Sequence, residues 1–472
     1  MSLLSNTLVE LTVLLKSRKV SPVELMRETL ERIDQVNPQL NALVCPRDPD
    51  VLMQEAKAAE ARLMAGEGRI FEGLALGVKD LEDAAGLINS QGSLLFKEQV
   101  ATRDSIQVER LKAAGAIVIG KTNAPEFGTT AITKNLVYGT TTSPWDVERT
   151  PGGSSGGSAA LLAAEALPLN TSSDGGGSIR IPASFVGAFG FKPSMGRVAR
   201  GPFEFWDSGR TSVWGPLTKT VEDAALFLDQ VVGHHPLDPM SLPHPGFSYF
   251  DHLEQARERK WRIAYSPDLG YAVVQSDVAR VVAEAVRVFE AQGHSVEQIE
   301  GGPPELGADW GLIGAFELGS HLAPQLQRHA ELLQRSVLRT IRMAETGLDL
   351  EWWGEASRRR AQLSRWVAEV FGEYDLLLTP TVPYDPPPAK GPFPAETEGR
   401  LQRVASVASF TIPFNLSWNP AASVRAGLSD AGLPVGLQIV GPLQRDELVL
   451  EAAQAFQRAR PWHPQWPLRS PD

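Results

Sequence analysis

Apolar positions along the chain fall into two spacings, and the switches between them mark out the elements. Leu8, Leu11 and Leu15 recur at the interval of a helix, which predicts an amphipathic N-terminal helix with those side chains turned inward. The next helix is announced at its start. Ser21-Pro22-Val23-Glu24 supplies a capping serine, a first-turn proline and a glutamate at the capping-box position, and the helical pattern runs to about Val36. Short, unbroken apolar runs at 74–78 and 116–119, each bounded by glycine, predict buried strands. Residues 158–167 form an alanine-rich helix ended by Pro168, and 168–171 continue as an extended piece into a glycine loop.

Pro236, Pro239, Pro243 and Pro245 mark a surface connection. Beyond it, 261–265 reads as a strand, Ser276 caps a helix to about 291, and Gly293 stops that helix before a strand near Val296. Residues from about 303 to 372 are helical in pattern and rich in arginine, glutamate and tryptophan, as suits a peripheral layer. Strands return at 375–379, 422–424 and 435–440, followed by an amphipathic helix from 446 to about 458. The alternation of strands and helices predicts an α/β sheet covered by helices on both faces.

Composition narrows the classes of function. With 472 residues, 43% hydrophobic and 21% charged, the chain reads as an ordinary globular protein, long enough for two domains or for one large sheet. A formal charge of -11 disfavours nucleic acid and anionic membrane surfaces as partners and favours a small neutral or cationic ligand. The single cysteine, Cys45, allows no internal disulfide and lacks companions for a metal site, so a cytoplasmic protein without metal or cofactor is expected. The apolar N-terminus is read as a helix rather than a signal peptide, because Glu10 interrupts it and no basic residue precedes it.

Candidate chemistry concentrates in two glycine loops. Pro151-Gly152-Gly153-Ser154-Ser155-Gly156-Gly157-Ser158 is followed, 24 residues after Ser154, by Ser178 in Asp174-Gly175-Gly176-Gly177-Ser178-Ile179-Arg180. Gly115 to Thr122 fits the phosphate-loop pattern, but its four intervening residues, Ala-Ile-Val-Ile, look like the strand itself, and Pro125 opposes a helix after Thr122. Gly152 to Gly156 fits a nucleophile elbow. That elbow needs a buried strand before it, whereas 144–151 is polar with two prolines. All eight histidines (His234, His235, His244, His252, His294, His321, His329 and His463) follow the serines, in apparent linkers, surface helices or the tail.

A lysine offers the missing base. Serine needs one to take its proton, and Lys79 closes the apolar strand Gly77-Val78-Lys79. A lysine acts as a base only when neutral, so its pKa must fall by about three units from the reference, at about 1.4 kcal/mol per unit. Asp80 would oppose that fall and is expected to face elsewhere. A bridging serine can relay the proton, since one hydroxyl donates and accepts at once. Three consecutive glycines before Ser178 let backbone N–H groups converge on a developing oxyanion.

Taken together, Gly77-Val78-Lys79-Asp80, Gly120-Lys121-Thr122-Asn123-Ala124-Pro125-Glu126-Phe127, both serine loops, Gly190-Phe191-Lys192-Pro193 and Gly432-Leu433-Pro434-Val435-Gly436 resemble the amidase signature family. The resemblance implies a single large α/β/α domain over 1–472 with a mixed twisted sheet, its signature core at about 70–225. It implies Ser178 as acyl-forming nucleophile, Ser154 as relay serine held by a cis peptide bond, and Lys79 as base. The amides of Gly175, Gly176, Gly177 and Ser178 would form the oxyanion hole, with Ser155, Asp174 and Arg180 as supports, Lys192 structural and Asn123 lining the substrate pocket. Gly175 replaces a common threonine or isoleucine and should loosen the loop. Trp418-Asn419-Pro420 and Arg425 replace a frequent glycine and proline beside the acyl pocket. Trp206, Trp214, Trp310, Trp352 and Trp353 are candidate walls for an apolar channel.

The implied activity is hydrolysis of small, apolar linear, cyclic or aryl amides, in a layout similar to 6-aminohexanoate cyclic-dimer hydrolases and aryl-acylamidases. The partners expected are a small-molecule amide and, in assembly, a homodimer. The alternative is the catalytic subunit of glutamyl-tRNA(Gln) amidotransferase, which acts within a complex. That subunit carries Ser-Ser-Leu-Asp-Gln before its Gly-Pro; here 208–214 is Ser-Gly-Arg-Thr-Ser-Val-Trp, without the acidic and amide groups expected for glutamine.

Overall fold

A computed structural model describes residues 2–202, 209–255 and 259–461. Met1, Trp206, Ser208 and His463 fall outside the described residues.

Two hydrogen-bonded ladders organise the chain. In the first the order is Leu43–Val44, Ile117–Thr122, Ala75–Lys79, Leu169–Asn170; the last three run parallel, and Leu43–Val44 is antiparallel at the edge. In the second the order is Leu217–Thr218, Phe189–Lys192, Ala421–Leu428, Pro434–Val440, Leu376–Pro380, Arg262–Tyr265, Ser295–Gln298, antiparallel except for the parallel trio at its end. The chain after Asn170 joins them. Ser173–Asp174 pairs with Val213–Trp214, which continues into Leu217–Thr218. The result is a large mixed sheet, as the sequence predicts.

Both faces of that sheet are covered. Leu376 and Leu378 enter one apolar cluster with Val278, Val282 and Phe289 of the helix Ser276–Ala291, while Leu377 between them packs with Val370 and Phe414 in another. This alternation follows from the period of two along a strand. The main cluster reaches from Leu4 to Phe456.

Local signals mostly hold. Leu8, Leu11 and Leu15 are buried on the helix Leu8–Lys16, and the Ser21 capping box forms at the head of Pro22–Leu40. That helix runs past the predicted Val36 to Leu40, with Pro38 inside it. Ser276 is not the cap that the sequence predicts. Gln275 takes that position with no side-chain cap, and the Ser276 amide donates instead to Glu398. The phosphate-loop pattern is strand Ile117–Thr122, its Lys121 buried and donating to the Glu82 carbonyl.

Helices Gly307–His321, Ala323–His329, Arg335–Gly347 and Leu350–Glu373 form the predicted helical layer between strands Ser295–Gln298 and Leu376–Pro380. Gly307–His321 and Arg335–Gly347 roof a cavity that opens at the carboxyl ends of the parallel strands Ala75–Lys79 and Leu169–Asn170, where side chains and loop amides are free of the ladder.

Candidate active site

Lys79 is the last residue of its strand, and its side chain leaves the sheet into a polar nest. Its ammonium nitrogen lies 2.8 Å from Ser154 Oγ, 2.8 Å from Ser155 Oγ and 2.9 Å from Ser173 Oγ. The side chain is only 1% exposed. Burial, opposed by Asp174 and Glu82 and reinforced by Arg200, brings the ammonium down to about 7. Asp80 faces away, accepting from Ser90 and from the amides of Ser90 and Gly92.

The proton inventory of this nest is tightly constrained. Ser155 accepts from the Ser173 amide and donates to the Ser173 carbonyl, so toward Lys79 it can only accept. A neutral amine has two hydrogens and one lone pair. With three hydroxyls around it, one must donate to nitrogen, and Ser154 or Ser173 fills that role.

Ser154 follows a cis Gly153–Ser154 peptide bond and precedes the helix Gly156–Ala163. Ser178 stands across from it on the second glycine loop, its carbonyl accepting from the Ser155 amide. Among the described residues the Ser178 hydroxyl makes no hydrogen bond, and with Ser154, Ser173, Gly175 and Gly176 it lines the cavity. Four amides are expected to converge here. The Gly177 N–H is instead committed to Asp174 Oδ1 at 2.7 Å, which leaves those of Gly175, Gly176 and Ser178 without acceptors among the described residues.

Asp174 organises the loop from beneath. Its carboxylate accepts from the amides of Gly177, Ile179 and Arg180, from the Arg180 guanidinium at 2.9 and 3.0 Å, and from Asn415. Burial alone would push this carboxyl up. The Arg180 charge and the hydrogen bonds from Arg180 and Asn415 override that and hold it well below the ordinary carboxylate range. Arg180 is itself fully buried, with Gln438 and Asn415 as further acceptors.

The expected loosening at Gly175 is not what the loop shows. The Trp310 indole N–H donates to the Gly175 carbonyl at 2.9 Å, and the Thr411 hydroxyl donates to the Gly176 carbonyl at 2.6 Å. Close packing explains the glycines. A Cβ at 175 would lie 2.7 Å from Ser212 Oγ, one at 176 would lie 2.6 Å from the Trp310 ring, and Gly177 has φ of +127°.

Other expectations part from the structure. Asn123 does not line the pocket: it is buried, its side chain donating to Thr141 and accepting from Asn135 and the Ala124 amide. Trp214 and Trp310 do line the cavity, whereas Trp352 and Trp353 do not, Trp353 being 55% exposed on its helix. Trp418 and Arg425 lie off the cavity, Trp418 bonded to the Arg210 carbonyl and Arg425 stacked on Trp145. Lys192, like Lys79, is brought to about 7 by burial and the Arg180 charge, against Asp174 and Asp446. It donates to the Pro193 carbonyl and, among the described residues, makes no hydrogen bond to Ser154, Ser155, Ser173 or Ser178, so position rather than pKa separates the two lysines. Sequence reasoning misses Ser173, Thr411 and Asn415, and the bond from Trp310 to the loop; Asn415 is 241 residues from Asp174, and no local pattern announces such a partner.

The cavity measures about 580 Å³, within the range of small-molecule sites. Among the described residues no histidine lines it, no group of three or more His, Cys, Asp or Glu is placed to hold a metal, and no helix is long and apolar enough to cross a membrane.

Comparison with known proteins agrees with this architecture. The amidase family profile matches residues 24–450. An acylamidase of Rhodococcus erythropolis is 33% identical over 470 residues, covering 96% of this chain and 95% of that protein. A glutamyl-tRNA(Gln) amidotransferase subunit of Geobacter sp. (strain M21) is 33% identical over 487 residues, covering 98% and 99%. Among solved structures, a bacterial aryl acylamidase of the amidase signature family superimposes with a TM-score of 0.91 at 29% identity over 99% of both chains. A 6-aminohexanoate cyclic dimer hydrolase complexed with substrate gives 0.87 at 27% identity, covering 98% and 99%.

Proposed function

Because the chain belongs to the amidase signature family, we propose that it is a stand-alone hydrolase of small, largely apolar linear, cyclic or aryl amides, acting through an acyl-enzyme on Ser178. The observation that carries this reading is the buried Lys79 in contact with Ser154, beneath a cavity edged by the Ser178 hydroxyl, which makes no hydrogen bond among the described residues.

The steps follow from the proton inventory. Neutral Lys79 takes the Ser154 proton as Ser154 takes that of Ser178, and the Ser178 oxygen attacks the amide carbon. The amides of Gly175, Gly176 and Ser178 are free to stabilise the oxyanion, while Gly177 braces the loop through Asp174. The proton returns through Ser154 to the leaving nitrogen, which departs as amine and leaves an ester on Ser178. Water, deprotonated along the same relay, then hydrolyses that ester. Ser155 and Ser173 hold the amine of Lys79 in place, and Arg180 holds Asp174. A single domain, supported by the core cluster that reaches from Leu4 to Phe456, and a cytoplasmic location, expected from the lone Cys45, belong to the same proposal.

The decisive experiment assays the purified chain alone on an anilide such as hexananilide. Turnover without partner chains supports a free-standing hydrolase; turnover that appears only when amidotransferase partners are added would reverse the reading.

Two outcomes follow at once. A base that must be neutral works above its pKa, so kcat/KM should rise with pH through about 7 and level off above it. A profile flat from pH 5 to 9 would remove Lys79 from that role. Trp310→Phe keeps the ring against Gly176 but deletes the donor to the Gly175 carbonyl, and kcat should fall about tenfold with the fold retained.

A further inference from the structure

The cavity wall departs in sign from the protein as a whole. Lys134, Arg200, Arg339 and Lys390 line it, against one carboxylate, Glu126, among the described residues. Glu126 does little to offset them at the mouth: it is 1% exposed and its Oε2 accepts the Gln334 amide at 2.9 Å, where burial pushes the carboxyl up.

Three of the cations gather at one edge. The Lys134 ammonium donates to the Lys390 carbonyl, and the Gln334 side chain donates to the Lys134 carbonyl at 3.3 Å. Gln334 begins the helix Arg335–Gly347, which carries Arg339, and the positive end of its dipole faces the same edge. Arg339 and Lys390 are exposed, Lys134 is half-buried, and none of the three makes an ion pair among the described residues. Against the chain's formal charge of -11 this positive mouth is a local reversal, and a recessed positive mouth focuses field on anions.

We propose that the amide taken by this site carries a carboxylate, which docks on the Lys134, Arg339 and Lys390 edge while the amide lies over Ser178. The inference rests on the amide-hydrolase reading above and names the substrate class within it. Guanidinium and ammonium groups bind carboxylate by charge-assisted hydrogen bonds, and the remaining apolar wall, with Phe127, Ile132, Leu318 and Phe393, covers the linking chain. A cationic ligand, which the overall charge would favour, meets the wrong sign at the entrance, and a neutral one gains nothing from it.

Matched substrate pairs test it. 6-Acetamidohexanoate against N-hexylacetamide puts the carboxylate on the amine half; adipic acid monoanilide against hexananilide puts it on the acyl half. At low ionic strength at least one carboxylate substrate should exceed its neutral partner in kcat/KM by about tenfold, and salt should erode the advantage. Arg339→Ala with Lys390→Ala should bring the ratio toward one. Preference absent in both pairs, or intact in the double variant, overturns the inference, and if hexananilide is still cleaved in a Ser178-dependent way the functional reading survives. If no amide is cleaved, calorimetric binding of adipic acid monoanilide still decides, because equal affinity in wild type and double variant counts against the docking edge.

Discussion

Ser178→Ala should leave a folded protein whose amide turnover is reduced by at least about four orders of magnitude. The side chain is half-buried, has no hydrogen-bond partner to lose among the described residues and lines a cavity, so deleting its oxygen removes chemistry rather than packing. Labelling by a fluorophosphonate should vanish with it. Lys79→Ala should fall as far, because Ser154 then has nowhere to send a proton. The pair should also be non-additive. Residues acting as one unit lose the same transition-state stabilisation once, so the double variant should be no slower than the worse single one. Retention of more than a hundredth of wild-type kcat by Ser178→Ala would refute the proposed nucleophile.

Arg180→Met carries the largest expected effect on stability. Asp174 and Arg180 are both fully buried and paired at 2.9 Å. Removing the guanidinium strands a carboxylate that three loop amides still face, and breaking one side of such a pair costs about 3–5 kcal/mol. Gln438 and Asn415 also lose a donor. A large fall in the apparent melting temperature is therefore expected. Asp174→Asn added to Arg180→Met should recover part of the loss, since no isolated charge remains. If the double variant is instead less stable than Arg180→Met, the explanation by an uncompensated charge fails.

How far the sequence could be read depended on how local each signal was. The capping box at Ser21, the buried strand ending in Lys79 and the two glycine loops are written in consecutive residues, and each is where the chain announces it. The nest around Lys79 was legible in part. Ser154 and Ser155 come from the loop, but Ser173 reaches the ammonium from the end of another strand, and nothing in its neighbours marks it. The braces of the second loop were invisible for the same reason. Trp310 and Thr411 arrive from helical segments 135 and 235 residues away. Asn123 shows the opposite failure: its motif fixes where the residue stands, but not whether its amide turns to the pocket or to Thr141. The total of charged residues could not reveal the cations at the cavity mouth either, because an average over 472 residues says nothing of the sign at one entrance.

The helices Gly307–His321 and Arg335–Gly347 roof the cavity, whereas the reactive groups lie below on residues 79 to 178. Bond cleavage and much of the roof over the bound molecule thus sit on separate stretches of polypeptide. Exchanging the block from Gly307 to Gly347 between relatives offers a route to new selectivity that leaves the proton relay untouched, provided that the incoming block keeps an indole where Trp310 stands.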